Sequence, residues 1–177
     1  MHEILDGLAS EVETLLASAN LNMDAADRKG RDLLSIAMIA GNVAIVEHLQ
    51  DSLRPRGNIP DFERRTTLMW AVMGDFYAGV HMLPRYNDTE LTSDHNRDTP
   101  LDVAVRLGHL ETAQVLVSTV LAREITFDIN TMNTSGETPC CIASANGDAE
   151  SVSCQLFLFL AQIRSDSGPN LGIVICA

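Results

Sequence analysis

The sequence predicts an all-α solenoid of stacked helix-turn-helix units joined by turn or hairpin loops. Three observations carry this. A block centred on an alanine recurs four times in 177 residues. Each copy has a helix-capping side chain five residues before the alanine. Three of the four copies have glycine four residues after it, where a helix ends in a left-handed conformation.

The four centres are Ala37, Ala71, Ala104 and Ala143, spaced by 34, 33 and 39 residues. The caps are Asp32, Thr66, Thr99 and Thr138, whose side-chain oxygens suit the free N–H groups of a first helical turn. Pro100 and Pro139 follow two of them, at the first helical position where a missing N–H costs nothing. Leu34, Leu68, Leu101 and Cys140 start an apolar stripe with the alanines, which allow close helix approach. Gly41, Gly108 and Gly147 end the first helices. In the second copy either Asp75 takes the left-handed position or Gly74 ends the helix one residue early.

A second helix follows in each unit, with apolar residues at helical spacing. These are Val43, Val46 and Leu49; Val80 and Leu83; Leu110, Ala113 and Leu116; and Ala149, Val152 and Leu156. Each unit is therefore a turn plus two antiparallel helices. No helix pair can bury its own apolar side without a neighbour.

"DHNRDTPLDVAVRLGHLETAQVL" from Asp94 resembles the ankyrin repeat, whose pattern runs roughly Asp-x-x-Gly-x-Thr-Pro-Leu-His-x-Ala-Ala-x-x-Gly-His. "NTSGETPCCIASANGDAESV" from Asn133 is similar to it as well, and "DRKGRDLLSIAMIAGNVAIVEHL" from Asp27 keeps the frame without Thr-Pro. Arg64 and Arg97 stand where the pattern has its turn glycine. The resemblance implies a half repeat over 1–26 and repeats near 27–60, 61–93, 94–132 and 133–164. An irregular tail follows over 165–177. The stretch "VSTVLAREITFDINTMN" must hold about six extra residues, as a longer second helix or a longer loop. The helix "SVSCQLFLFLAQI" is more apolar than an end helix should be. Three accounts stay open: a tail folded over the stack, a face that dimerises or takes a partner, or a chain cut from a longer repeat array.

The composition sets limits on function. A net charge of −12 disfavours bulk binding to nucleic acid or to an anionic membrane. The N-terminal residues lack the pattern of a secretory signal, and the longest apolar run is far short of a membrane span. The four cysteines form no disulfide framework, and reduced thiols in the cytoplasm or nucleus are expected. No catalytic set, phosphate loop or metal-ligand spacing occurs among the five histidines and the scattered acids. The reading is therefore non-catalytic, with no cofactor and no metal. His109 falls where the family pattern itself has histidine, a structural position.

The resemblance implies a cupped stack whose turn tips and first helices line a concave side where protein partners bind. It places Arg28, Lys29 and Arg31 on the first tip, Phe62, Glu63 and Arg65 on the second, and His95, Asn96 and Asp98 on the third. Thr134, Ser135 and Glu137 fall on the fourth. Ile39, Ala40, Met73, Gly74, Arg106, Leu107, Ala145 and Asn146 fall on the same side of the first helices. An acidic chain thus carries a local basic ridge beside Phe62 and Trp70, suited to an acidic or phosphorylated segment of a protein partner. The expected contact residues are Arg28, Lys29, Arg31, Phe62, Arg65, His95, Asn96 and Arg106. Solvated loop charge balanced by Asp27, Asp32, Asp61 and Glu63 is the plainer account of the same residues. Trp70 keeps the helix spacing and is expected to pack. Lys29 is the sole lysine against eleven arginines, a bias that a ubiquitin-ligase adaptor or codon usage would each produce. Two function classes follow: a scaffold or adaptor, and an inhibitory or regulatory subunit that masks an enzyme or transcription factor.

Overall fold

The computed structural model describes residues 26–53, 59–83, 92–122 and 131–146. Within them lie seven helices: α1 (Leu33–Ala40), α2 (Val43–Leu53), α3 (Thr67–Met73), α4 (Tyr77–Met82), α5 (Pro100–Leu107), α6 (Leu110–Ala122) and α7 (Pro139–Ala145). The half repeat expected at 1–26, the apolar end helix and the tail fall almost wholly outside the described residues.

The first helices form one layer, in which α1 packs on α3, α3 on α5 and α5 on α7. The second helices form the other, with α2 against α4 and α4 against α6. The cause is at the alanines. Ala37, Ala71 and Ala104 have no exposed surface and Ala143 has 2%, so each small side chain is spent on a helix–helix contact. Met38, Val46, Leu49, Val72, Val80, Leu101, Val105 and Ile142 fill the space around them. At the C-terminal ends of the first helices the packing is tighter still. A Cβ on Gly74 would come within 3.0 Å of the Ile39 carbonyl oxygen.

The capping residues act as the sequence predicts. Asp32, Thr66, Thr99 and Thr138 accept from the backbone N–H groups of Ser35, Met69, Asp102 and Cys141, respectively. Thr99 and Asp102 close a reciprocal box, in which the Asp102 carboxylate also accepts the Thr99 N–H at 2.8 Å. Gly41 and Gly108 end their helices at φ 67° and 74°. The second unit combines both options. Gly74 is the C-cap with φ −81°, and Asp75 takes the left-handed conformation at φ 52°. The extra residues before the fourth unit are partly helical: α6 has 13 residues where α2 has 11. The remainder fall outside the described residues. The expectation of reduced thiols holds for Cys140, which is free and buried, but Cys141 is disulfide-bonded.

The turn tips repeat one further design. Ten residues before each alanine stands Asp27, Asp61, Asp94 or Asn133. Its Oδ1 turns inward and accepts two backbone N–H groups, from the residues two and four further on. For Asp61 these are Glu63 and Arg65, both at 2.8 Å, and for Asn133 they are Ser135 and Glu137, at 2.9 and 3.0 Å. Asp27 and Asp94 bond in the same way. The chain must then pass through positive φ. Gly30 and Gly136 do so freely, at 80° and 76°, whereas Arg64 and Arg97 are both held at 60°. An arginine there costs roughly 1–2 kcal/mol relative to its ordinary conformation.

Consecutive tips are tied by backbone hydrogen bonds. Phe62 N–H donates to the Lys29 carbonyl at 3.0 Å, His95 N–H to Glu63 at 3.0 Å, and Thr134 N–H to Asn96 at 2.8 Å. Side chains add further ties between units. His109 Nδ1 lies 2.9 Å from the Val72 carbonyl oxygen, and Asn146 Nδ2 donates to the Val105 and Arg106 carbonyls at 3.1 Å each. These polar links satisfy helix-end carbonyls of the preceding unit.

Asp102 is the costly member of this core. It is fully buried, and its Oδ1 has no hydrogen-bond partner among the described residues. Burial pushes its carboxyl up to about 6, against the pull of hydrogen bonds from Thr99 and the charge of Arg106; Asp98 adds to the upward push. Burial, with the nearby Asp102 charge, likewise raises the Cys140 thiol. Because the folded Asp102 holds its proton more tightly than the unfolded one, it destabilises the fold fully above about pH 6. That penalty fades as pH falls toward the ordinary carboxylate range near 3.8. Asp102→Asn keeps the acceptor for Thr99 and removes the charge. It is expected to add on the order of 2–3 kcal/mol at pH 7.5. The gap to wild type should close between pH 6 and 4, as read by urea unfolding across that range.

Candidate partner-binding surface

The inward turn of the tip carboxylates decides what the tips show to solvent. Asp61, Asp94 and Asp98 are buried, and Asp27 is half-buried. Burial works against the Asp27 charge, but hydrogen bonds from Arg31 and Lys29 and the charge of Arg31 outweigh it and hold the carboxyl below its ordinary range. Among the described tip residues, Glu63 is the one acid classed as exposed. Arg28, Lys29, Arg64 and Arg97 are exposed, and none of them makes an ion pair among the described residues. Of the acids that the sequence offers as charge balance, Asp27, Asp32 and Asp61 are occupied by backbone N–H groups, and Asp27 and Asp61 also by the inner arginines; Glu63 stays exposed.

Those inner arginines behave differently from the outer ones. Arg31 pairs with Asp27 at 2.6 Å and Arg65 with Asp61 at 3.1 Å, each between residues four apart in the turn. Both guanidinium groups also lie against Trp70, with the Arg31 and Arg65 carbons 5.0 and 4.7 Å from the ring centroid. Trp70 is 5% exposed, and its Nε1 has no hydrogen-bond partner among the described residues. The ring is thus held by packing and by two cation–π contacts rather than by its N–H. It locks the first tip to the second.

The remaining expected contact residues divide in the same way. Phe62 is 72% exposed, and its ring lies over the first tip, since a Cβ on Gly30 would meet Phe62 Cδ1 at 2.8 Å. His95 and Asn96 are exposed, with the Asn96 carbonyl engaged by the fourth tip. Arg106 is more committed: it donates to Asp98 at 2.7 Å and lies 3.7 Å from Glu137. Asn133 Nδ2 reaches the same Asp98 oxygen at 2.9 Å, so this ion pair joins the third and fourth units. Of the eight residues singled out, Arg28, Lys29, Phe62, His95, Asn96 and Arg106 are exposed, and Arg31 and Arg65 are half-buried. Arg31, Arg65 and Arg106 hold the stack together.

Reasoning from the sequence missed Asp27, Asp61, Asp94 and Asn133 as organisers of the surface. Their signal is the recurrence of Asp or Asn at one fixed distance before the alanines. It was legible as a turn preference, but not as the cause of the surface charge. Among the described residues no group of three or more His, Cys, Asp or Glu is placed to hold a metal, and no helix is long and apolar enough to cross a membrane. Trp70→Ala removes the ring and both cation–π contacts. It is expected to cost about 3–5 kcal/mol in urea unfolding monitored by helical signal.

The sequence model of the ankyrin repeat matches residues 96–123. This span runs from the third tip through α5 and α6, the unit with both Thr-Pro and the left-handed glycine. Ankyrin repeats are in general modules for protein–protein interaction, and the family is typically non-catalytic. With its stacked helix pairs, buried alanines and hydrogen-bonded tips, the chain is an ankyrin-repeat protein.

Proposed function

We propose that the chain is a non-catalytic scaffold or adaptor that holds an acidic or phosphorylated segment of another protein on the concave side, across its turn tips. One observation carries this reading. The carboxylates that start the tips turn inward, so a protein with a net charge of −12 shows solvent a row of basic residues, without ion pairs among the described residues, beside an exposed phenylalanine. Such a row attracts anionic groups against the sign of the whole molecule, and arginine pairs with carboxylate or phosphate through two donors at once. Arg31, Arg65 and Arg106 serve this surface indirectly, by fixing where the tips stand.

The test uses the full chain and a partner identified by crosslinking and mass spectrometry. Affinity should fall several-fold between low and physiological salt, as expected for exposed charge pairs. It should fall at least about tenfold in the Arg28→Ala, Lys29→Ala, Phe62→Ala triple variant, whose three sites are exposed and outside the ion pairs. Affinity indifferent to both changes would remove the tip row from the reading. Chemical turnover of the captured partner would remove the non-catalytic role.

A further inference from the structure

Arg64 and Arg97 occupy equivalent places on adjacent tips, the place where Gly30 and Gly136 stand on the first and fourth. Both are at φ 60°, a conformation that glycine adopts without strain. Both are exposed, and neither makes an ion pair among the described residues. Among the described residues, no hydrogen bond, ion pair or ring contact of the two side chains offsets the strain. Two strained outliers with the same charge, in register, are a reason to look for a ligand.

Their spacing sets its form. The tips are joined by the hydrogen bond from His95 N–H to the Glu63 carbonyl at 3.0 Å, and α3 packs directly on α5. Stacked helices of this kind lie about 8–10 Å apart. An extended β-strand has an equal reach in three residues, but its side chains alternate, so residues i and i+3 point to opposite faces. A polyproline II helix has three residues per turn and rises about 3.1 Å per residue. Its residues i and i+3 therefore share one face, about 9 Å apart. Prolines on the first-tip side of the pair would meet an aromatic surface: Phe62, on the same tip as Arg64, is 72% exposed and its ring lies over Gly30 of the first tip.

We infer that Arg64 and Arg97 form a two-pronged reader for a polyproline II segment of a protein partner carrying carboxylates three residues apart, with Phe62 packed on the prolines that adjoin the pair on its first-tip side. This rests on the reading of the tip row as a docking surface and specifies its ligand. Arg64 and Arg97 meet one carboxylate each, and the first-tip residues Arg28 and Lys29 extend the row for a third. Glu63, the exposed acid beside Arg64, disfavours an acid placed out of this register.

The experiment uses the full chain and three fluorescently labelled peptides of equal length and composition class, followed by anisotropy. The first repeats Glu-Pro-Pro, the second carries the same glutamates in adjacent pairs, and the third replaces every glutamate with glutamine. The first should bind at least about tenfold more tightly than the other two, a gap worth roughly 1.4 kcal/mol. Arg64→Gly with Arg97→Gly should abolish that preference while raising the thermal midpoint by about 2–4 °C or more, so that lost binding cannot be laid to unfolding. Phe62→Ala should weaken the first peptide several-fold. Equal binding of the first two peptides overturns the inference, as does full binding by the double glycine variant. If, in addition, Arg28→Ala with Lys29→Ala abolishes binding in either case, the basic row stands as the docking surface without the paired reader. No binding of any peptide also overturns it, and the crosslinked partner then decides the broader reading by itself.

Discussion

Close approach of the first helices through their alanines is the constraint on which the rest depends. Ala37, Ala71, Ala104 and Ala143 are each almost without exposed surface, and each lies where a larger side chain would push adjacent units apart. That contact fixes the distance between units. The distance in turn lets one tip's N–H reach the carbonyl of the tip before it, and lets His109 and Asn146 reach helix ends one unit back. A stack of thin units has no central core, so its stability is the sum of such neighbour contacts.

The tips show how a structural need shapes a binding surface. Backbone N–H groups in a tight turn require acceptors, and an aspartate or asparagine at the start of each turn supplies them. Satisfying that need turns negative charge inward. The arginines nearest these carboxylates are drawn in with them, and Arg31 and Arg65 close over Trp70. What the described tips leave outside is mainly basic, with Glu63 as the exposed acid, although the chain as a whole is strongly acidic. The charge of the surface is a by-product of hydrogen bonding in the turns.

The units are not equally well built. The first and fourth tips use glycine at the left-handed position, while the second and third hold arginine there. The third unit also buries Asp102, at a position taken by Ser35 in the first unit and Met69 in the second. Serine and methionine bury there without charge, whereas a carboxylate with an unbonded oxygen does not. The second and third units are thus where stability is given up, and they are also where the strained arginines Arg64 and Arg97 stand.

The sequence by itself determined the helix pairs, their caps and their order. These follow from local rules: a capping oxygen, a proline at the first turn, a left-handed glycine and an apolar stripe, each readable within one unit. The buried place of Trp70 followed from its spacing alone. Only the tertiary structure decided which arginines face solvent, because the sequence places Arg28, Arg31, Arg64 and Arg65 together without saying which meets a carboxylate. It also decided that Asp75 and Gly74 share the end of α3, and that Asn146 bonds a unit more than thirty residues away. Such choices depend on distances between units, which packing sets and local sequence does not carry.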